Sequence, residues 1–156
     1  MTQNLNSEHD SVWRMFLTTY AVVVDLIEQE LAQARLPPLG WYDVLLALSI
    51  APEQRLRMHE LAKAVVLDRS NLTRLVDRME AAGLVCRKSC PTDRRGAFAT
   101  ITEEGKAMRQ KMWPVYQQAI AKYFSRHLND TEVKVFTRGL ERMQAKAFAT
   151  PTIKVG

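Results

Sequence analysis

Between Asp68 and Ile101 the hydrophobic period changes once, and that change limits the chain to few folds. Leu72, Leu75, Val76 and Met79 are spaced i, i+3, i+4, i+7. At about 100° per residue they all lie within about 60° of Leu72 on a helical wheel. Ser70, Thr73, Arg74, Asp77 and Ala81 fall on the far side, and Asn71 and Arg78 on its flank. Asp68 is a good N-cap and Gly83 a good C′ residue. Beyond Gly83, Leu84–Ser89 and Ala97–Ile101 read as two short strands joined by a turn-rich, arginine-tipped segment, Cys90 to Gly96. A short helix over Met58 to about Val65 precedes this unit. Short helix, tight turn, capped helix and hairpin make a helix-turn-helix followed by a wing.

The rest of the chain is helical in pattern. Asp10 or Ser11 is expected to cap a helix running to about Arg35, with Trp13, Phe16, Leu17, Tyr20, Val23, Val24, Ile27 and Leu31 recurring at three and four residues. Pro37 and Pro38 are expected to end it. A helix over Leu39 to Ile50 follows. Thr102 is expected to cap a long helix from Glu103 to about His127, in which Pro114 predicts a bend near Trp113. Asn129 or Asp130 starts a last helix, where Val133, Phe136, Leu140, Met143 and Ala147 step 3, 4, 3, 4 like a coiled-coil seam. The expected fold is mainly α with a small two- or three-stranded β-wing. A single domain spans 1–156: helical segments 10–36 and 103–149 flank a winged helix-turn-helix over 39–102. The apolar seams of the terminal helices have no partner within a small monomer, so the chain is expected to be an obligate dimer.

Charge gives the wing region its character. The first 54 residues hold seven acidic and two basic residues, whereas 55–95 hold ten basic and five acidic ones. Eight of those ten cations are arginine, the side chain suited to forked contacts with phosphate and guanine. A solvated surface of mixed ion pairs fits the same composition.

Other chemistries find little support. Apolar runs such as Ala21–Val24 and Val44–Leu48 fall far short of the ~20 residues of a membrane span. Met1 to Asp10 does not read as a secretory signal, so a cytoplasmic, nucleoid-associated protein is expected. His9, His59 and His127 are isolated, and no metal, cofactor or phosphate-loop pattern is present. An enzyme is not expected. Cys86 and Cys90 are four apart; on one strand they would lie about 13 Å apart, too far for a disulfide.

The ordered set Leu61-Ala62, Leu67 through Val85, Asp93-Arg94-Arg95 and Ile101-Thr102-Glu103-Glu104-Gly105 resembles the MarR family of bacterial winged-helix regulators. The resemblance implies a homodimer in which the first and last two helices form the dimerisation part and two winged helices grip a pseudo-palindromic operator in double-stranded DNA. It implies a repressor released by a small aromatic or phenolic effector. By the same resemblance Ser70, Asn71, Thr73 and Arg74 face the major groove. In the wing, Arg95 enters the minor groove and Asp93 holds its guanidinium, with Arg94 beside them. Arg78 and Arg87 are phosphate contacts or surface pairs. Val133, Phe136, Leu140 and Met143 are expected in the dimer contact.

Two sets of residues keep two readings each. Trp13, Phe16, Tyr20, Trp41 and Tyr42 line an effector pocket, or they are core and interface. Cys90, near Arg94 and Arg95, is a redox sensor with a favoured thiolate or an unreactive loop thiol; Cys86 is expected against the core. A competing function is a winged helix whose basic face serves a protein partner.

Overall fold

The computed structural model describes residues 6–89 and 97–147. Helix α1 spans Ser7–Gln33. It starts three residues before the expected cap, because Asn6 accepts a 2.8 Å bond from the His9 amide. It ends before the prolines. Arg35 takes a left-handed φ of 57°, the Leu36 N–H donates to Leu31 O and the Arg35 N–H to Ala32 O, which makes a Schellman motif with arginine where glycine is usual. Helix α2 spans Leu39–Ile50; Pro38 offers no side-chain cap, and Glu28 of α1 accepts the Leu39 N–H instead at 2.9 Å.

Strand β1 (Arg55–Arg57) and helix α3 (Met58–Ala64) follow. A 3-10 turn over Arg69–Asn71 leads into α4 (Leu72–Ala81). Gly83, at φ 79°, closes α4 as expected, with the Leu84 N–H donating to Met79 O at 3.0 Å. Strands β2 (Val85–Ser89) and β3 (Ala97–Ile101) complete a three-stranded antiparallel sheet of order β1-β3-β2. Helix α5 spans Glu103–Tyr123 and runs through Pro114; it stops four residues short of His127, and a separate 3-10 turn covers Ser125–His127. Helix α6 spans Asp130–Ala147. Asn129 caps it in a reciprocal box with Glu132, both bonds at 2.9 Å.

Two apolar cores hold these elements. The first lies inside the winged helix, where Val44, Leu45 and Leu48 of α2 meet Leu61, Val76, Met79, Val85 and Ala99. The second joins α1, α2 and α5 through Ile27, Leu31, Leu39, Tyr42, Met112 and Ala119. In α1 only Ile27 and Leu31 are buried, and α6 buries nothing. Trp13, Phe16, Leu17 and Tyr20 on α1 are exposed, as are Val133 and Met143 on α6. These side chains leave an apolar surface open across α1 and α6 in the single chain. No helix among the described residues is long and apolar enough to cross a membrane.

Candidate nucleic-acid interface

The expected division of α4 into two faces is observed. Leu72, Leu75, Val76 and Met79 are buried, while Ser70, Asn71, Thr73, Arg74, Asp77 and Arg78 are exposed. The start of the helix differs from expectation. Asp68 has a left-handed φ of 56° and makes no side-chain cap bond. Its carboxylate packs over Gly40, where a Cβ would meet Oδ2 at 2.6 Å. Asn71, the residue before α4, makes no side-chain cap bond either. Among the described residues no carboxylate pairs with Arg74.

What holds the turn in place is Asp43, a residue the sequence reading did not single out. From α2 its Oδ2 accepts the Val66 N–H at 2.7 Å and the Leu67 N–H at 2.8 Å. Arg69 adds a bond from Nε to Val65 O at 2.8 Å. Burial holds the Asp43 carboxyl above the ordinary aspartate range; the two amide bonds and Arg69 pull the other way, and Asp68 adds to the rise. The folded chain therefore binds this proton more tightly than the unfolded chain. The group's contribution is complete below the ordinary aspartate pKa and is lost as pH rises through the raised value. Asp43→Ala is expected to cost about 1–3 kcal/mol by orphaning two amides. Asp43→Asn keeps an acceptor and is expected to flatten the pH slope of urea stability in the acid range. An Asn variant as unstable as the Ala variant would show that the amide bonds do not carry the effect.

Arg87 lies where a phosphate contact was one expectation, and the structure places it in the second of its two readings, an ion pair. It sits on β2 opposite Ala99, on the face of the sheet that meets the helices. Its guanidinium pairs with Asp77 and, at 3.3 Å, with Glu80, and its amide donates to Glu80 Oε2 at 2.6 Å. Asp77 above all raises the guanidinium pKa further. Arg87 thus ties β2 to α4. Cys86 alternates with buried Val85 and faces away from the core, contrary to expectation. Cys90, Asp93, Arg94 and Arg95 lie outside the described residues.

The aromatic candidates fall into separate places. Trp13 and Phe16 stack on α1 with centroids 6.3 Å apart, and Phe16 meets Phe136 of α6 at 6.4 Å. Tyr20 lines an apolar groove of about 220 Å³ with Phe16, Val23, Phe124, Phe136 and Leu140. Tyr42 is buried between Trp113 and Tyr116, and Trp41 packs on the winged-helix core. Arg109 Nε on α5 is buried without a hydrogen-bond partner among the described residues. No group of three or more His, Cys, Asp or Glu among those residues is placed to hold a metal ion.

A model of the MarR family matches residues 36–96. The chain is 33% identical over 93 residues to the HTH-type transcriptional regulator MhqR of Bacillus subtilis, a match that covers 58% of this chain and 63% of that protein. Among solved structures it is similar to Sco3205, a MarR family transcriptional regulator from Streptomyces coelicolor crystallised in complex with DNA. That likeness has a TM-score of 0.83 and 31% identity, and covers 97% of this chain and 94% of the other. AbsC, a MarR family transcriptional regulator from the same organism, gives 0.82 and 28%, covering 96% and 100%.

Proposed function

The chain belongs to the MarR family, whose members are transcription regulators and not enzymes, and from that premise we propose that it is a homodimeric repressor bound to a pseudo-palindromic operator in double-stranded DNA. The observation that carries the reading is α4 with the 3-10 turn that leads into it: α4 buries one face, while Ser70 and Asn71 of the turn and Thr73 and Arg74 of the helix are exposed. Hydroxyls, an amide and a guanidinium at the start of an exposed helix are the donors and acceptors that base edges in the major groove require. Arg87 braces the wing to that helix, so the two elements reach DNA as one body. The wing residues Asp93, Arg94 and Arg95 supply the minor-groove contact, and Arg78 a phosphate contact. Such a protein works in the cytoplasm, on the nucleoid.

A small aromatic or phenolic effector releases the operator. Arg109 supports an anionic one, since a carboxylate would satisfy its partnerless Nε one turn from Trp113. Of the aromatic candidates Tyr42, stacked on Trp113, lies at this place, whereas Trp13, Phe16 and Tyr20 lie with α6 and Trp41 on the winged-helix core.

Fluorescence anisotropy on an operator duplex selected from a random library tests the reading. Arg74→Ala is expected to cost about 1–3 kcal/mol and to relax preference at one position per half-site. Arg95→Ala should weaken binding broadly and alter preference for A·T-rich flanks, because minor-groove width is what it senses. Asp93→Ala should weaken binding too, although it removes a negative charge near DNA. Tighter binding by Asp93→Ala together with an unchanged Arg95→Ala would overturn the wing assignment. The same assay run with aromatic acids reads effector release.

A further inference from the structure

Gly139 lies in the interior of α6, where glycine is a poorer helix former than alanine. Nothing within the chain explains it. Gly40 and Gly105 each have a neighbour where a Cβ would stand, and Gly83 takes a left-handed φ; a Cβ on Gly139 would meet nothing within 4 Å.

The residues that share its face make a pattern. At about 100° per residue, Glu132, Val135, Met143 and Lys146 all lie within about 40° of Gly139 on the helical wheel. They stand seven and four residues before it and four and seven after it. Val135 is 54% exposed and Met143 66% exposed, and Glu132 and Lys146 are exposed as well. Phe136 and Leu140, which close the groove against α1, lie about 60–100° to one side of Gly139, and Arg142 and Arg138 as far to the other. Along the face the order is acid, apolar, glycine, apolar, base. Turned end for end about Gly139, the face sets its acid on its own base and its two apolar residues on each other. Such self-complementarity fits an isologous contact between two identical helices, where residue i meets j and j meets i. No ion pair engages Lys146 among the described residues. Glu132 accepts the Asn129 N–H on Oε2 at 2.9 Å, which leaves its second oxygen for another donor.

We propose that α6 packs antiparallel on α6 of a second copy, with Gly139 at the two-fold axis, Val135 against the partner's Met143 and Glu132 against the partner's Lys146. The missing side chain lets the backbones approach to the short end of helix packing distances, about 8 Å between axes. The apolar pairs close around the crossing and the ion pairs fix its direction. The proposal rests on the homodimer reading above and names the contact by which the copies meet. A different protein partner on this face is the competing outcome.

Sedimentation equilibrium and thermal melts of the full chain test the crossing. Where Gly139 faces solvent, Gly139→Ala improves the helix and meets open space, so Tm rises and the dimer is unchanged. The crossing predicts the opposite sign: two methyl groups forced between the backbones weaken the dimer about tenfold or more. Charge exchange tests the register. A Lys146→Glu chain sets acid against acid at both ends of its homodimer, and a Glu132→Lys chain sets base against base. One chain of each restores two opposite pairs. Mixed in equal amounts at low salt, with one chain tagged, these variants are expected to form the mixed dimer well above the statistical half. The same exchange at Lys134 and Glu141, exposed on the opposite side of α6, should mix statistically. Statistical mixing of the first pair, or equal enrichment of the control pair, overturns the antiparallel register. A Gly139→Ala protein that is more stable and as dimeric as wild type overturns the crossing. In each of these cases the homodimer stands and the face is left to another partner. A wild-type chain that sediments as a monomer at micromolar concentration overturns the homodimer reading itself.

Discussion

Gly105→Ala is expected to destabilise the chain by about 3 kcal/mol, the upper end of the range for forcing extra volume into a packed site. Gly105 lies in the first turn of α5 and is buried. A Cβ there would sit 2.2 Å from Leu84 O and 2.8 Å from Ile101 Cγ1. The nearest obstacle is backbone, and that backbone is held from several sides. Leu84 O accepts the Thr102 N–H at 3.1 Å, and the Leu84 N–H is committed to Met79 O. The Thr102 hydroxyl donates to Gly83 O at 2.6 Å while accepting the Gly105 N–H at 3.0 Å. A methyl group at 105 must push α5 away from the junction of α4 and β2. Urea or thermal unfolding checks this, with Tm falling by about 6–12 °C for a chain of this size. An unchanged midpoint would mean that α5 is not seated against Leu84 O in solution. DNA affinity should fall as well, because the same shift tilts the wing away from α4.

That glycine shows where sequence reading reaches and where it stops. Gly105 stood out only as part of a family pattern; taken alone it counts against a helix. The close approach that requires it involves Leu84, a residue brought near by the hairpin. Features written in local periodicity were legible: both faces of α4, the turn at Gly83, the Thr102 and Asn129 caps and the long helices. Features that depend on distant residues were not. Asp43 looks like an ordinary acid inside α2, since the amides it caps lie 23 and 24 residues away. Strand β1 has three residues, too few for an alternation to be recognised, and its partner β3 comes more than 40 residues later. Arg87 sits in a basic hairpin and so suggests phosphate; the register turns it inward to Asp77 and Glu80. The aromatic stripe of α1 was visible as a stripe, but its pattern could not say that its first half is left exposed.

The exposed half of that stripe leads to the second large effect. We expect Leu140→Glu to convert the protein to a monomer and to lower operator affinity about 10²–10⁴-fold, because two linked half-site contacts become independent ones. Leu140 and Phe136 of α6 close an apolar groove with Phe16, Tyr20 and Val23 of α1, and the Phe136 ring lies tilted against Phe124 with centroids 6.3 Å apart. Trp13, Val133 and Met143 extend the same surface and are exposed in one chain. A carboxylate placed there and buried by a second chain costs about 3–5 kcal/mol when no partner charge meets it. The winged-helix core of Val44, Leu45, Leu61, Val76 and Met79 does not use α6, so each monomer should keep its DNA-reading part folded. Met143→Glu provides the control for packing within the chain. Met143 is 66% exposed in one chain, so the substitution disturbs nothing there and should still dissociate the dimer. Sedimentation at micromolar concentration and anisotropy on the selected duplex read the two consequences independently. A Leu140→Glu protein that stays dimeric and binds like wild type would place the two-fold contact elsewhere and leave the apolar faces of α1 and α6 to another partner. A monomer with undiminished affinity would instead show that one winged helix suffices for the operator.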